Sequence, residues 1–567
     1  MISLSSAPNS RFIHLIVGAA ILTTLGWFVF ASYSGPIQEH IPFLHNDDKS
    51  QQAQQGNRPR HPIDTLVRNA EKEHKALLAK ETHNLYDAAQ AYEARRGRRP
   101  PPGFDLWFDF AQEHNAIIVE EFFDRIYDDL NPFGLCRLCK YANKPTTSST
   151  ASDLVGTISE YLPDLDMAIN EMDESRVIVP WETIDGYVQQ ERAQRKIISA
   201  DDAITRFTST VVSPTEEVPK FDPEFHGGNY WDLAVIGCPL DSPARTNYVA
   251  ETNFELPPPL PSTRPVHSHK GFVSNWTLTK SPCDNPTLQQ LHGTFVEPIS
   301  ISNSKKLFPL FGGSKLPMNN EILLPPAMYW TDDPFYSGGK GHGSAWEEKQ
   351  DKIIWRGAAS GGRNKKENWT RFQRHRFIAM VNGTSVKLAE TSDNPPPNIE
   401  LPAPNAYNLT AMHEGFLGDW VGEIADAAVV HLLCFPDPNP PHCDYTDPWY
   451  EVKKSKPMQE QYGYKYLPDI DGNSFSGRYR GFLGSTSLPI KATIYDEWHD
   501  SRLVAWKHFV PMDNTFIDIY GIMEYFLGYN GKNGHDEVAK GIALLARNGQ
   551  KRCCGGRTCR STSSAYY

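Results

Sequence analysis

Two glycine-bearing turns hold the residues best suited to chemistry. The first runs Ile353-Ile-Trp-Arg-Gly-Ala-Ala-Ser-Gly-Gly-Arg363, a strand entering a Gly-rich turn with a helix beginning near Trp369. Such a turn can aim backbone N–H groups and a positive helix end at an anion, and Arg356 or Arg363 can bind phosphate oxygens in pairs. Gly357, Ser360 and Gly361 form the bend. The same residues also suit a tight strand-to-helix connection without a ligand.

The second turn lies in Lys465-Tyr-Leu-Pro-Asp-Ile-Asp-Gly-Asn-Ser-Phe-Ser-Gly-Arg478, followed by Ser485-Thr-Ser-Leu-Pro-Ile-Lys491 and Asp496-Glu-Trp-His499. A strand ends at Asp471-Gly472, and Arg478 stands where the next helix should start. This is the carboxyl edge of a sheet, where ligands of open α/β folds bind. Ser474 and Ser476 can donate to phosphate or ribose; alternatively, Asn473 or Ser474 caps a helix and Asp471 forms an Asx turn.

Metal chemistry has weaker support. Asp164-Leu-Asp166 and Asp469-Ile-Asp471 both spell Asp-x-Asp, but such strings are common in loops. Cys136-Arg-Leu-Cys139 has redox or zinc spacing without a second CxxC or paired histidines at a finger-like interval. His226, His269 and His508 can meet sugar hydroxyls or be ordinary structural histidines.

Asp471-Gly-Asn-Ser-Phe-Ser-Gly-Arg478, Ser-x-Ser-Leu-x-x-Lys491 and Trp506-Lys-His-Phe-Val-Pro511 together resemble the signature of glycosyltransferase family 90, which holds animal protein O-glucosyltransferases and fungal capsule-associated and β-1,2-xylosyltransferase proteins. Arg99-Pro-Pro-Pro-Gly-Phe-Asp105 with Trp107, Asn170-Glu-Met-Asp-Glu-Ser-Arg-Val177, and Trp355-Arg-Gly357 with Ser360-Gly-Gly362 resemble the fungal branch. The matches span roughly residues 98–530. Ala505 departs from the pattern where Pro is expected, as do Gly484 and Thr486.

The resemblance implies a GT-B fold, two Rossmann-like domains facing a cleft, and inverting transfer from a UDP-sugar to a hydroxyl of a glycan or glycoprotein, xylose before glucose. It implies Asp173 as general base. It also puts Arg356, Gly357, Ser360, Gly361, Asp471, Gly472, Ser474, Ser476, Arg478 and Lys491 at the donor, and requires no cofactor. A luminal glycan-binding or quality-control protein that keeps the fold without transfer is the alternative.

The elements that must carry these turns follow from periodicity. Short apolar runs at Lys352–Trp355, Tyr464–Ile470, Leu488–Thr493 and Trp506–Pro511 alternate with helical segments at Trp369–Val381, Gly418–Leu433 and Phe516–Leu527, which predicts parallel strands with helical crossovers. Upstream, one amphipathic helix is predicted over Asp64–Arg95, then helices near Leu106–Glu113 and Ile117–Leu130. The organisation expected is a cytosolic tail (1–11), a membrane anchor (12–33), a stem (34–97), an acceptor-side domain (98–345), a donor-side domain (346–545) and a Cys-containing tail (546–567).

Composition bounds the rest. A chain of 567 residues exceeds one core, and a formal charge of −12 with mixed signs excludes a nucleic-acid partner. Phe12 to Tyr33 has no Asp, Glu, Lys or Arg and is long enough to span a bilayer as a signal anchor. Arg11 precedes it and Glu39 follows, which orients the chain into the lumen of the Golgi or, alternatively, the endoplasmic reticulum. Four sequons begin at Asn275, Asn368, Asn382 and Asn408, and nine cysteines allow a few bridges.

Overall fold

Proline and asparagine set where the first two helices among the described residues begin. The computed structural model describes residues 61–135, 156, 167–203, 222–258, 265–330, 333–337, 339, 341–436, 443–447 and 449–550. The expected anchor at 12–33, the stem as far as residue 60, Cys136, Cys139, Asp164, Asp166 and the three terminal cysteines lie outside them. Among the described residues no helix is long and apolar enough to cross a membrane.

Residues 62–96 form two helices where periodicity predicts one. Helix α1 (Pro62–Leu78) opens with Pro62, whose missing N–H is no loss in a first turn, and His61 Nδ1 accepts the Ile63 amide at 3.2 Å. Helix α2 (Leu85–Arg96) starts afresh because Asn84 Oδ1 accepts the Asp87 amide at 2.9 Å, and it stops at Gly97 in the left-handed conformation, φ 65°. Thr82 holds the break by donating its amide to Ile118 O at 2.9 Å. Helices α3 (Phe104–Glu113) and α4 (Asp124–Leu130) follow, the second preceded by a 3₁₀ turn at Glu120–Phe123.

Strands β1 (Ala168–Ile169), β2 (Leu310–Gly312) and β3 (Ile322–Leu323) make a small parallel sheet in the order β1-β2-β3. The larger sheet contains β4 (Gln350–Ala358), β5 (Ala425–His431), β6 (Tyr464–Ile470), β7 (Leu488–Ala492) and β8 (Val510–Pro511). All five are parallel, in the order β8-β7-β6-β4-β5. Every residue of β6 is buried, as expected of a central parallel strand covered on both faces. Pro468 lies past Tyr466, the last β6 residue in register with β4, so its missing N–H removes no bond to β4.

Two strand expectations change. Only Val510 and Pro511 of the 506–511 run are strand. The stretch expected as one helix, Gly418–Leu433, is helical only to Ile424; from Ala425 it extends as β5, in register with β4 from Ile353↔Ala425 to Ala358↔His431. Ala-Asp-Ala-Ala has little intrinsic preference for strand, and the neighbouring β4 decides the outcome.

The cores do not respect a boundary at 345/346. Trp107, Phe108 and Phe122 pack with Tyr479, Leu483, Phe509 and Ala546. Trp231, Phe295 and Leu316 pack with Ile494 and Tyr495. Each large apolar side chain buried this way contributes about 1.5–3 kcal/mol. The fold is therefore mixed α/β with parallel sheets, and the chain from Pro59 onward forms one compact unit. The parallel strands predicted after Asp351 form the larger sheet, whereas the parallel strands of 98–345 are two or three residues long. Disulfides join Cys238 to Cys283 and Cys434 to Cys443.

Candidate functional site

The carboxyl ends of β4 and β6 bring the two glycine-bearing turns together. After β4 the chain bends through Gly361 and Gly362, at φ 132° and 134°, where a Cβ would lie 2.4 Å from Gln373 Nε2 and 2.3 Å from Glu297 O respectively. Only glycine fits both the conformation and the space. The turn's amides are largely spent inside the protein: Ala359 N donates to His431 O, Gly361 N to Asn473 Oδ1 and Arg363 N to Glu297 O. The anion cradle read from this glycine run is thus mostly a packing device.

Positive charge at the site comes from side chains. The guanidinium carbons of Arg374 and Arg478 lie 5.6 and 5.2 Å from the ring centroid of the fully buried Trp355. Arg478 is the N-cap residue of helix α6 (Tyr479–Gly484), as its position in the sequence predicts, and Nη1 donates to Arg356 O at 2.9 Å. Its Nη2 is buried without a hydrogen-bond partner. Arg374, in helix α5 (Gln373–Met380), donates to the carbonyls of Ala358, Ile470 and Asp471 and to Ser360 Oγ. Burial pulls both guanidinium pKa values below the ordinary range, and each arginine's neighbourhood offers it carbonyl dipoles rather than a paired carboxylate.

Arg356 differs. Its guanidinium is ion-paired with Asp426 on the adjacent strand β5, and Asp426 also accepts from Lys456 at 2.9 Å. Burial works to raise the Asp426 pKa, but bonds from Arg356 and Lys456 outweigh it and hold the carboxyl down to about 2.

The 471–478 turn is pinned from several sides. Ile494 N donates to Asp471 Oδ2 at 2.9 Å, and His292 Nε2 approaches the same oxygen at 3.4 Å. Burial lowers the His292 pKa, with Asp471 only partly offsetting it, so the ring is neutral. Gly472 N donates to Ser474 O, and Tyr495 OH donates to Asn473 O at 2.9 Å. Ser474 and Ser476 are buried; Ser476 Oγ accepts from Arg478 Nε at 3.5 Å. A Cβ on Gly472 would sit 3.1 Å from Ser360 Oγ, so the two turns are in contact. A Cβ on Gly357 would sit 2.9 Å from the Trp355 indole.

Asp173 reaches this edge from the other half of the chain. Asn170 forms an Asx turn, its Oδ1 accepting Met172 N at 3.1 Å and its Nδ2 donating to Glu174 O at 2.9 Å. Glu174 is buried and bound to the Ser300 amide at 3.0 Å, which anchors the far side of the turn. The exposed Asp173 is left pointing at the second turn, where Asn473 Nδ2 donates to its Oδ2 at 3.2 Å.

Lys491 does not join the arginines. It is buried in β7 between Asp469 (3.0 Å) and Glu497 (3.1 Å), with its ammonium 3.7 Å from the Tyr479 ring centroid. Burial opposes its charge, yet the two carboxylates outweigh burial and lift its pKa. Asp469 and Asp471 each spend Oδ2 in this way and leave Oδ1 buried without a hydrogen bond.

The sequons differ in access. Asn275 and Asn408 are exposed and Asn382 is half-buried, with Asn275 and Asn382 capping short helices. Asn368 is buried, its Nδ2 donating to Glu297 Oε2 at 2.9 Å and its Oδ1 accepting from Lys365 N, so the folded chain has no room for a glycan there. His508 is also buried, with Nδ1 accepting Val504 N at 2.9 Å, a structural role. His226 and His269 are exposed.

Residue-by-residue reading did not single out Arg374, Asp426 or the Asn473 amide as site components. Arg374 could have been found, because Arg371, Arg374 and Arg376 open the helix that follows the first glycine turn. No protein-family model and no curated protein matches this chain.

Proposed function

We propose that the protein is a UDP-sugar-dependent inverting glycosyltransferase of GT-B type, tethered by residues 12–33 with its globular part in the Golgi lumen. The observation that carries this reading is the hydrogen bond between Asn473 and Asp173, which sets an exposed carboxylate beside a buried arginine cluster at the carboxyl edge of a parallel sheet. A diphosphate fits Arg478, whose Nη2 is a buried donor without a partner, and Arg374 adds charge behind it.

In the reaction, the acceptor oxygen bonds to the anomeric carbon as its proton passes to Asp173. The bond from that carbon to the UDP oxygen breaks, and its electrons go to the diphosphate. Fixed guanidinium groups stabilise that growing charge without solvent reorganisation. No step requires a metal, and the donor sugar is xylose or, second, glucose by family resemblance. The two disulfides suit an oxidising compartment.

The test is sugar transfer from UDP-xylose, UDP-glucose and UDP-galactose by wild type and Asp173→Asn. Loss of turnover in the variant is expected; wild-type turnover would remove Asp173 as base. A glycan-binding protein without transfer is the second reading, favoured by the ion pair that occupies Arg356. Glycan binding without affinity for UDP in calorimetry would select it.

A further inference from the structure

Away from the arginine cluster, a cavity of about 530 Å³ opens between α1, the Ser268–Thr277 segment and the Asp500–Trp506 segment. This volume lies within the roughly 300–1,000 Å³ of small-molecule sites. Leu66 and Ala70 of α1, Val504, Trp276 and Trp506 supply apolar and indole surface, while Asn69, Glu73, His269, Asn275 and Thr277 supply polar groups. The side chains of Asn69, Glu73, His269 and Thr277 make no hydrogen bond among the described residues.

Three features define what fits. Asn69 and Glu73 stand four residues apart on α1, so an amide and a carboxylate face the cavity from one side of the helix. Such a pair can bind two adjacent hydroxyls, one donating to the carboxylate and one accepting from the amide. Trp506 is held at φ 65°, an uncommon conformation for a bulky residue, by bonds from its amide to Phe509 O (2.8 Å) and from its indole to Val273 O (2.7 Å). The lining includes the Glu73 carboxylate, an Asp500 carboxylate already paired with Lys280, and no Lys or Arg, which disfavours a nucleotide or any other anion.

We infer that this cavity is a binding site for a neutral saccharide, with the C–H face of a pyranose against indole and apolar surface and its hydroxyls on Asn69 and Glu73. The inference does not rest on the transferase reading, since it concerns a different set of residues.

The test uses the full chain in a detergent without a sugar headgroup. Methyl α-mannoside, methyl β-xyloside and N-acetylglucosamine serve as probes in saturation-transfer NMR and calorimetry. Protein from a host without N-glycosylation is run beside the glycosylated protein, so that every lining residue is kept and no glycan on Asn275 masks the cavity. At least one sugar should bind, and Asn69→Ala and Glu73→Ala should each weaken it by about tenfold or more. Glu73→Gln, which keeps the side-chain shape and sits on an exposed position, should also weaken it with an unchanged Tm. Three results would overturn the inference: no sugar binding by either the glycosylated or the unglycosylated protein, an unchanged Kd in the α1 variants, or displacement of the sugar by UDP.

Discussion

Asn473 donates its side-chain amide to Asp173 across 300 residues of sequence, while its Oδ1 receives the Gly361 amide. One asparagine thus ties the Asn170–Asp173 turn to both glycine-bearing turns. On the transferase reading proposed above, Asn473→Ala should lower kcat more than it raises the KM for the donor, because it frees the proposed base, Asp173, to wander and leaves the arginines in place. Donor titrations at saturating acceptor measure this. Stability should fall by only about 1 kcal/mol, the net worth of an ordinary hydrogen bond.

Arg478 sets binding against stability. It adds a second buried guanidinium beside Arg374, with one nitrogen lacking a hydrogen-bond partner. Arg478→Met should abolish UDP binding yet leave unfolding free energy within about 1 kcal/mol of wild type, since relief of like-charge repulsion offsets the lost bond to Arg356 O. UDP should raise the Tm of wild type and not that of the variant.

Lys491 should behave in the opposite way. Its removal leaves Asp469 without an ion-pair partner in the interior and Glu497 with His499 alone. Lys491→Met should cost about 3–5 kcal/mol, the scale for breaking a buried pair. Circular dichroism of the variant should show lost folding rather than a selective loss of donor affinity.

Acid should act on the fold in two windows. Burial alone holds the His375 pKa down to about 3, and neither ring nitrogen has a hydrogen-bond partner. The unfolded chain binds that proton from about pH 6.5, so stability is lost as pH falls from there toward 3. Asp426, depressed to about 2, contributes stability that is present above the ordinary carboxylate range and disappears as pH falls through 2. His375→Phe should make the first window shallower and Asp426→Asn the second, as read by denaturant midpoints from pH 2 to 7.

The first glycine turn should not tolerate side chains. Gly361→Ala or Gly362→Ala forces a Cβ into Gln373 or the Glu297 carbonyl at positive φ, which should destabilise by more than about 2 kcal/mol. Urea midpoints check it.

Much of the larger sheet was legible because its strands are short apolar runs between breakers; Tyr464–Ile470 matches its expected ends. Strand β5 was not, since Ala425–Ala428 carries no preference and takes its conformation from β4. The proximity of Arg356, Ser360, Gly472 and Arg478 follows from parallel order, which puts successive strand ends on one edge. What no local pattern reveals is how charge is shared. Lys491 and Arg356 look equally available in the sequence, and burial beside Asp469 and Glu497, or beside Asp426, engages both.

Helix α1 leads to one more consequence. Asp64 Oδ1 accepts from Tyr525 OH at 2.6 Å, and His61 stacks on the same tyrosine at 4.6 Å. Helix α1 therefore finds this partner only after 461 more residues have been made. At about 5–20 residues per second, α1 leaves the ribosome roughly 20–90 s before its seat exists. Its amphipathic face must be shielded during that interval, so synthesis halted before Tyr525 should leave the 62–78 segment open to protease and bound by chaperones.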